Sequence, residues 1–251
     1  MTNKEYTAKL IQKERLNSDT FLLTLENKDL VQQARPGQFV NVGCDELLKR
    51  PFGIAHTDME TGTFQIGVKI VGKGTKQITD LSENSEVEVL GPLGNGFVLS
   101  GEDFILAGGG TGVFPINFVK EELIKSGKNV TVVQGGRDKE QLILTGEDYI
   151  LTTDNGTAGI KGTVIDGLNT IEDIKADTKV LCVGPAPMMK AVGQWSEEHN
   201  LKCFVSLEQR MACGIGICLC CTVKIKGEAE SFEHKRCCKD GPVFEYGEVI
   251  R

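Results

Sequence analysis

The sequence predicts a multidomain α+β chain: an antiparallel β-barrel over residues 1–100, a parallel α/β unit over 101–205 and a cysteine-bearing segment over 206–251. Three observations carry that division. The first hundred residues are short apolar runs broken by turn residues, with no long helical pattern. The next hundred alternate apolar strands with helical stretches and place glycine loops at the strand ends. Beyond Ser206 the chain gathers six of its nine cysteines.

In the first unit, Phe21–Leu25, Gly37–Val42 and Thr63–Ile70 read as strands, and Phe64, Ile66, Val68 and Ile70 alternate with more polar residues. Val87 and Val89 repeat the alternation, and a short helix is expected around Lys76–Leu81. Two loops carry chemistry. Arg50-Pro51-Phe52-Gly53-Ile54 sets a permanently charged fork beside a proline that holds the backbone extended, an arrangement suited to a diphosphate followed by a planar ring. Val71-Gly-Lys-Gly74-Thr75 opens the short helix, so its N–H groups and the Thr75 hydroxyl are expected to face the same diphosphate. Singly, Arg50 reads as well as a surface ion pair, and Gly72 and Gly74 as a turn.

In the second unit, the apolar strand Phe104–Ala107 runs into Gly108-Gly109-Gly110-Thr111-Gly112 and then into a helix with Pro115 in its first turn. Strand, glycine loop and helix start form the context of a dinucleotide-binding turn. The loop departs from G-x-G-x-x-G at Val113, yet small residues still admit a diphosphate to the helix N-terminus. A helix at 116–125 and strands at 129–134 and 179–183 follow, the last ending in Gly184-Pro185-Ala186 at the head of another helix. A parallel sheet binds ligands outside the carboxyl ends of its strands, where both glycine loops fall. Arg137 favours a 2′-phosphate and Asp138 a free ribose hydroxyl, so they point to NADPH and NADH respectively. Asp154-Asn-Gly156 and Lys161-Gly162 are expected in polar turns. Cys182, Cys203 and Trp195 read as core residues, and His56, His199 and His234 have no spacing that suggests a catalytic triad.

In the third unit, Cys213, Cys218 and Cys221 give C-x4-C-x2-C with a distant fourth cysteine, the ligand spacing of a plant-type [2Fe-2S] centre. Gly214 and Gly216 suit a loop that turns its N–H groups toward sulfur. Spacing favours Cys221 over Cys220 and leaves the fourth ligand open between Cys237 and Cys238. The C-x-x-C pair Cys218/Cys221 with Cys237, Cys238 or His234 would also make a structural zinc site.

Composition limits the function classes. A net charge of −7 argues against nucleic acid, whose binding neutralises phosphates with a basic face. The polar N-terminus lacks a signal-peptide core, no apolar run reaches the ~20 residues of a membrane span, and clustered cysteines in odd number suit a reducing compartment, so a cytoplasmic, membrane-free location is expected.

Barrel, nucleotide unit and cysteine segment in this order resemble the ferredoxin-reductase superfamily. Ser206-Leu-Glu-Gln-Arg-Met-Ala-Cys-Gly-Ile-Gly-Ile-Cys-Leu-Cys-Cys221 with Cys238-Lys-Asp-Gly-Pro-Val-Phe244 resembles, within it, the electron transfer subunits of type B, NAD-dependent dihydroorotate dehydrogenases. The resemblance implies FAD held by Arg50, Pro51, Phe52 and Gly53, by Gly67, Val68 and Lys69, and by Gly74 and Thr75. The nucleotide-binding candidates from the glycine loops are Gly109, Gly110, Thr111, Gly112, Gly184, Pro185 and Ala186 for NAD. By resemblance the cluster ligands are Cys213, Cys218, Cys221 and Cys238, the last because the family's cysteine directly precedes x-Asp-Gly-Pro. Many relatives carry Ser or Thr where this chain has Gly53, which removes a hydroxyl bond to the flavin ring.

The implied function is electron transfer between NAD(H), FAD and a [2Fe-2S] cluster, in exchange with the FMN of a dihydroorotate dehydrogenase catalytic partner in de novo pyrimidine (UMP) biosynthesis. The implied assembly is a heterotetramer of two subunits of each kind. The cofactors carry the chemistry and demand no side-chain acid or base, so no catalytic residue is named. Two alternatives stand beside this reading: a subunit of another NAD(P)H:ferredoxin or sulfide oxidoreductase, and a non-enzymatic sensor that binds nucleotide and metal.

Overall fold

A computed structural model describes residues 4–146, 148–227 and 231–249. Six antiparallel strands, β1 (Lys4–Arg15), β2 (Thr20–Glu26), β3 (Phe39–Val42), β4 (Arg50–Asp58), β5 (Thr63–Lys69) and β6 (Glu86–Leu93), close a barrel in the order β1-β2-β5-β4-β3-β6. A helical turn, α1 (Lys28–Val31), follows β2, and helix α2 (Lys73–Asp80) follows β5. The alternation read in β5 sets its inward face: Phe64, Ile66 and Val68 are fully buried with Leu10, Leu23, Leu25, Val40, Ile54 and Val89.

Two barrel features differ from the sequence reading. The segment beginning at Arg50 is the start of strand β4 rather than a loop, with Pro51 opposite Asn41 of β3. Proline tolerates the first residues of a strand, so it extends the chain here without ending it. Strand β1 has no counterpart in the sequence reading. Its inward residues are Tyr6, Ala8 and Leu10, set among charged neighbours, and a small or amphipathic residue gives little hydrophobic contrast.

The α/β unit comprises β7 (Asp103–Gly109), α3 (Val113–Lys125), β8 (Asn129–Gly136), β9 (Tyr149–Thr153), β10 (Ile160–Lys161), α4 (Val164–Leu168), β11 (Lys179–Val183), α5 (Ala186–Glu198) and β12 (Lys202–Ser206). A hairpin of β13 (Thr222–Lys226) and β14 (Phe232–Arg236) follows, and then β15 (Val243–Glu245). The main sheet has the order β10-β9-β8-β7-β11-β12-β15 and is parallel except for β15, which pairs antiparallel with β12. The segment after Ser206 therefore gives a strand back to the nucleotide-unit sheet. From β7 the chain winds out to β10 and returns on the other side at β11. The carboxyl ends of β7 and β11 flank this switch point, with Gly108 opposite Val183.

Helix α3 joins the two units. Phe118 lies in the barrel core, and Asn117 Nδ2 donates to the Ala55 carbonyl at 3.3 Å and to Glu121 Oε1 at 2.9 Å. The other Glu121 oxygen stands 2.5 Å from His56 Nδ1 on β4. Trp195 and Cys182 are buried, as the sequence predicts, and Trp195 Nε1 donates to Asn169 Oδ1 at 2.8 Å.

Candidate active site and cluster loop

The main cavity, of about 650 Å³, opens where barrel, glycine loop and cysteine segment meet. It is within the usual size of a cofactor pocket. Its wall brings together Arg50, Pro51, Phe52, Gly53, Gly67, Lys69 and Thr75 from the barrel with Thr111 and Gly112 from the turn after β7. Val68, Gly74, Gly109, Gly110, Gly184, Pro185 and Ala186 are not part of this wall. Val68 buries its side chain in the barrel core, which leaves only its backbone for a ligand. Gly74 lies beneath the Arg50 guanidinium: a Cβ there would meet Arg50 Nε at 2.6 Å. Arg50 also donates Nη1 to the Leu48 carbonyl.

The Thr75 hydroxyl, expected to face a diphosphate, is bonded to the backbone at the start of its own helix while the residue lines the cavity. It accepts from the N–H groups of Val71 and Gly72 at 2.9 and 3.1 Å and donates to the Gly72 carbonyl at 2.9 Å. These bonds cap the start of α2, while the remaining first-turn N–H groups keep the dipole available to an anion.

Several glycines chosen for ligand approach also answer to packing. A Cβ at Gly67 would sit 1.9 Å from the Phe114 ring, and one at Gly53 3.1 Å from Pro115. Helix α3 thus seats its first turn against the barrel at those glycines, tightly at Gly67 and more loosely at Gly53. Gly112 abuts the Val183 carbonyl and Gly109 the Met188 sulfur, at 2.2 and 2.3 Å from an added Cβ. Gly110, at φ +54° with open space around it, is the loop residue whose backbone conformation itself favours glycine. At the end of β8, the Asp138 carboxylate caps a 3₁₀ turn by accepting from Glu140 and Gln141 N–H at 3.0 and 3.3 Å, and Arg137 is exposed.

The cavity also takes in Ser206–Met211, which the sequence reading used only as a signature. This stretch leads from β12 to Cys213, so the cavity wall and the cysteine loop are continuous chain. Desolvation against the concave wall raises the Glu208 carboxyl above its ordinary value, although the residue is open to the cavity.

In the cysteine loop Gly214 and Gly216 have φ +70° and +82°. The Cys218 N–H donates to Cys213 Sγ at 3.4 Å, and the Cys238 N–H donates to Cys221 Sγ at 3.4 Å. Burial raises the Cys213 thiol, but N–H groups of Cys218, Ile215 and Ile217 and the Cys218 side chain outweigh it and hold it at about 6. Burial, then the Cys221 side chain beside it, pushes Cys238 up to about 12. The two N–H to sulfur bonds join Cys218 to Cys213 and Cys238 to Cys221. Among the described residues no three His, Cys, Asp or Glu side chains converge on a single-ion site. Four cysteines, with backbone N–H groups turned to the Cys213 and Cys221 sulfurs, make the all-thiolate donor set that a [2Fe-2S] unit takes. Cys237 is fully buried with Phe39, Leu93 and Val223, and burial pushes it up to about 12. Cys220 is exposed.

Barrel, nucleotide-type sheet and cysteine loop define a flavin-dependent reductase with an appended iron–sulfur site. The model for the oxidoreductase FAD-binding domain matches residues 7–97, and that for the iron–sulfur cluster binding domain of dihydroorotate dehydrogenase B matches residues 208–250. The electron transfer subunits of dihydroorotate dehydrogenase B (NAD(+)) from Desulforamulus reducens and Bacillus mycoides are 34% and 36% identical, over 99% and 100% of both chains. The structure of an NADH-dependent reduced ferredoxin-NADP oxidoreductase superimposes with a TM-score of 0.88 at 32% identity, over 100% of this chain and 91% of that one. Phthalate dioxygenase reductase shares the fold at a TM-score of 0.66 and 19% identity, over 92% of this chain and 76% of that one. The chain belongs to the family of dihydroorotate dehydrogenase B (NAD(+)) electron transfer subunits. It is an oxidoreductase subunit whose cofactors are FAD and an iron–sulfur cluster.

Proposed function

We propose that this chain converts between the two-electron chemistry of NAD(H) and one-electron transfer to a dihydroorotate dehydrogenase catalytic subunit. The observation that carries the reading is the continuity of the main cavity with the cysteine loop through Ser206–Met211. Bound there, FAD supplies hydride exchange and single-electron exchange, and the cluster supplies one-electron carriage.

The chain's own residues hold and orient these groups. Arg50, braced over Gly74 and tied to the Leu48 carbonyl, presents its fork to the diphosphate together with the first turn of α2. Phe52 and Gly53 on β4 and Gly67, Val68 and Lys69 on β5 line the path of the flavin, Val68 through its backbone. Phe114 and Pro115 close the wall behind it and exclude water. NAD(H) enters over Gly109–Gly112 and Gly184–Ala186, at the switch point between β7 and β11. Cys213, Cys218, Cys221 and Cys238 hold the cluster, with Cys237 left to the core.

The partner carries FMN and the orotate chemistry in pyrimidine biosynthesis, and two subunits of each kind assemble. A TIM barrel by itself takes about 250 residues, and the described residues here build the six-stranded barrel, the parallel sheet and the cysteine segment instead. Electrons leave through the surface at Ile217 and Leu219, exposed by 75% and 59% beside the cysteines. The complex works in the cytoplasm, a compartment that keeps thiols reduced, and no described cysteine forms a disulfide. No described helix is long and apolar enough to cross a membrane.

The test is the anaerobic visible spectrum with iron and acid-labile sulfide assays, before and after NADH. Flavin and cluster bands that bleach with NADH, at about two irons per chain as the [2Fe-2S] centre requires, are expected. NAD-linked orotate turnover on adding the partner completes the assignment. A colourless zinc protein that takes up neither FAD nor iron would overturn it in favour of the sensor. The 32% identity to the NADH-dependent reduced ferredoxin-NADP oxidoreductase favours a second reading, a subunit of that kind of complex. Reduction of ferredoxin without any orotate turnover would select it.

A further inference from the structure

Strand β4 and helix α3 meet along one seam, and each begins at a different half of the site. β4 opens with Arg50–Gly53 on the flavin side, and α3 follows directly on the glycine loop Gly108–Gly112. Their contacts lie in order along both elements. Gly53 faces Pro115, the Ala55 carbonyl accepts from Asn117 Nδ2 at 3.3 Å, and His56 Nδ1 stands 2.5 Å from Glu121 Oε2. Asn117 Nδ2 also donates to the other Glu121 oxygen, Oε1, at 2.9 Å, so both carboxylate oxygens are held.

Phe114, Asn117, Phe118 and Glu121 recur at helical spacing and share one face of α3. The two phenylalanines press that face onto the barrel, Phe118 within its core and Phe114 against Gly67. Apolar contact is non-directional, whereas hydrogen bonds weaken steeply off line. Phe114 and Phe118 therefore keep α3 on the barrel, and the bonds among His56, Glu121 and Asn117 clamp its rotation there. A second cavity, of about 450 Å³, opens beside this clamp. Through it the imidazole, with 31% of its side chain exposed, exchanges protons with water. The ionisable groups about His56 are Asp58 and Glu60 from the end of β4 and its turn, and Glu121, Glu122 and Lys125 from α3. β5 sets the uncharged Gln65 opposite it, and the cavity residues after α1, Gln32, Ala34 and Pro36, are uncharged too.

We infer that His56, Glu121 and Asn117 are positioning residues for hydride transfer: their clamp holds the glycine-loop end of α3, and the nicotinamide bound there, in register with the flavin along β4. The inference deepens the proposed function and rests on its placement of FAD and NAD(H). NADH rides on the α/β unit, so loosening the clamp leaves its binding surface intact and spoils its distance from the flavin. A misplacement of about 1 Å can cost a hundredfold in rate. Protonated His56 is drawn to Glu121 by charge as well as by the hydrogen bond, and neutral His56 by the hydrogen bond alone.

The experiment is anaerobic stopped-flow reduction of the flavin by NADH in the full chain, loaded with FAD and iron, for wild type, Glu121→Ala, Glu121→Gln and Asn169→Ala. The last breaks the Trp195 bond on the opposite face of the sheet and controls for lost stability alone. Glu121→Ala is expected to lower the limiting rate constant about tenfold, with the NADH concentration at half-saturation changed less than about twofold. Asn169→Ala is expected to melt lower and keep the rate constant. An unchanged rate constant in FAD-loaded Glu121→Ala overturns the inference, as does equal slowing in Asn169→Ala. In wild type the rate constant should fall about threefold as pH rises through the folded-state value of His56, where the charge-assisted part of the bond is lost. Glu121→Gln, which keeps the size and loses the charge, should abolish that fall. Its midpoint should match the imidazole titration of His56 followed by nuclear magnetic resonance in the oxidised full chain. A mismatch, or a fall that survives in Glu121→Gln, overturns the inference. If Glu121→Ala does not hold FAD, the pH profile of Glu121→Gln decides. A wild-type flavin that NADH does not reduce would instead sink the proposed function itself.

Discussion

The cysteines divide by environment into those a cluster can use and those it cannot. Serine at Cys213, Cys218, Cys221 or Cys238 is expected to abolish the cluster, read as loss of iron and sulfide from the purified chain. Cys220→Ser is expected to keep both, because that side chain points to solvent. Cys237→Ser should keep the iron and lower stability by about 1–3 kcal/mol in denaturant titration, since the hydroxyl would be buried among Phe39, Leu93 and Val223. His56 gives a pH signature at the same scale. Its hydrogen bond to Glu121 raises the imidazole pKa, with burial and Lys125 opposing and Asp58 reinforcing. A raised folded-state pKa contributes stability that is full below about 6.5, the unfolded value, and lost as pH rises through the folded value. Melting temperature should therefore fall across that window in wild type, and Glu121→Gln should flatten the fall.

At the scale of elements, the chain's glycines record where α3 meets the barrel. Gly67→Ala would drive a Cβ into the Phe114 ring, and overpacking of this kind costs about 1–3 kcal/mol. Thermal melts should show that loss, together with a lowered FAD content after purification. Thr75→Ala removes the hydroxyl that caps α2 and is expected to cost about 0.5–2 kcal/mol, restored by serine. Barrel, parallel sheet and most helices were legible in the sequence because their periodicity is strong, as in Phe64, Ile66 and Val68 of β5. Strand β1 was not, because its inward residues include Tyr6 and Ala8. The cavity residues from Arg50 to Gly53 were legible as a motif, but their strand was not, since proline masks extended structure that continues past it. Gly53, Gly67 and Gly112 were legible as small residues, while the neighbours that demand smallness come from other elements and leave no local signal. The bond from Arg236 to Asp240 spans four residues of sequence, yet the other partner of the guanidinium, the Gly216 carbonyl, lies in a different loop.

For the whole molecule, the third segment is a structural closure as well as a cofactor site. Strand β15 covers the edge of β12, and Asn95 at the barrel rim donates from its N–H to the Gly241 carbonyl at 2.6 Å and accepts from the Val243 N–H at 3.2 Å. Tyr246 packs where Gly193 of α5 lacks a side chain, 2.1 Å from an added Cβ. Residues 1–206 expressed alone are thus expected to lose the cooperative melt of the full chain, measured by circular dichroism. The order of synthesis follows from the same strand. The barrel draws all six of its strands from the first hundred residues and can fold as it leaves the ribosome, but the sheet edge waits for Val243–Glu245. Val243–Glu245 follows the last cysteine of the loop, so the edge of β12 stays uncovered until every one of those thiols has been made.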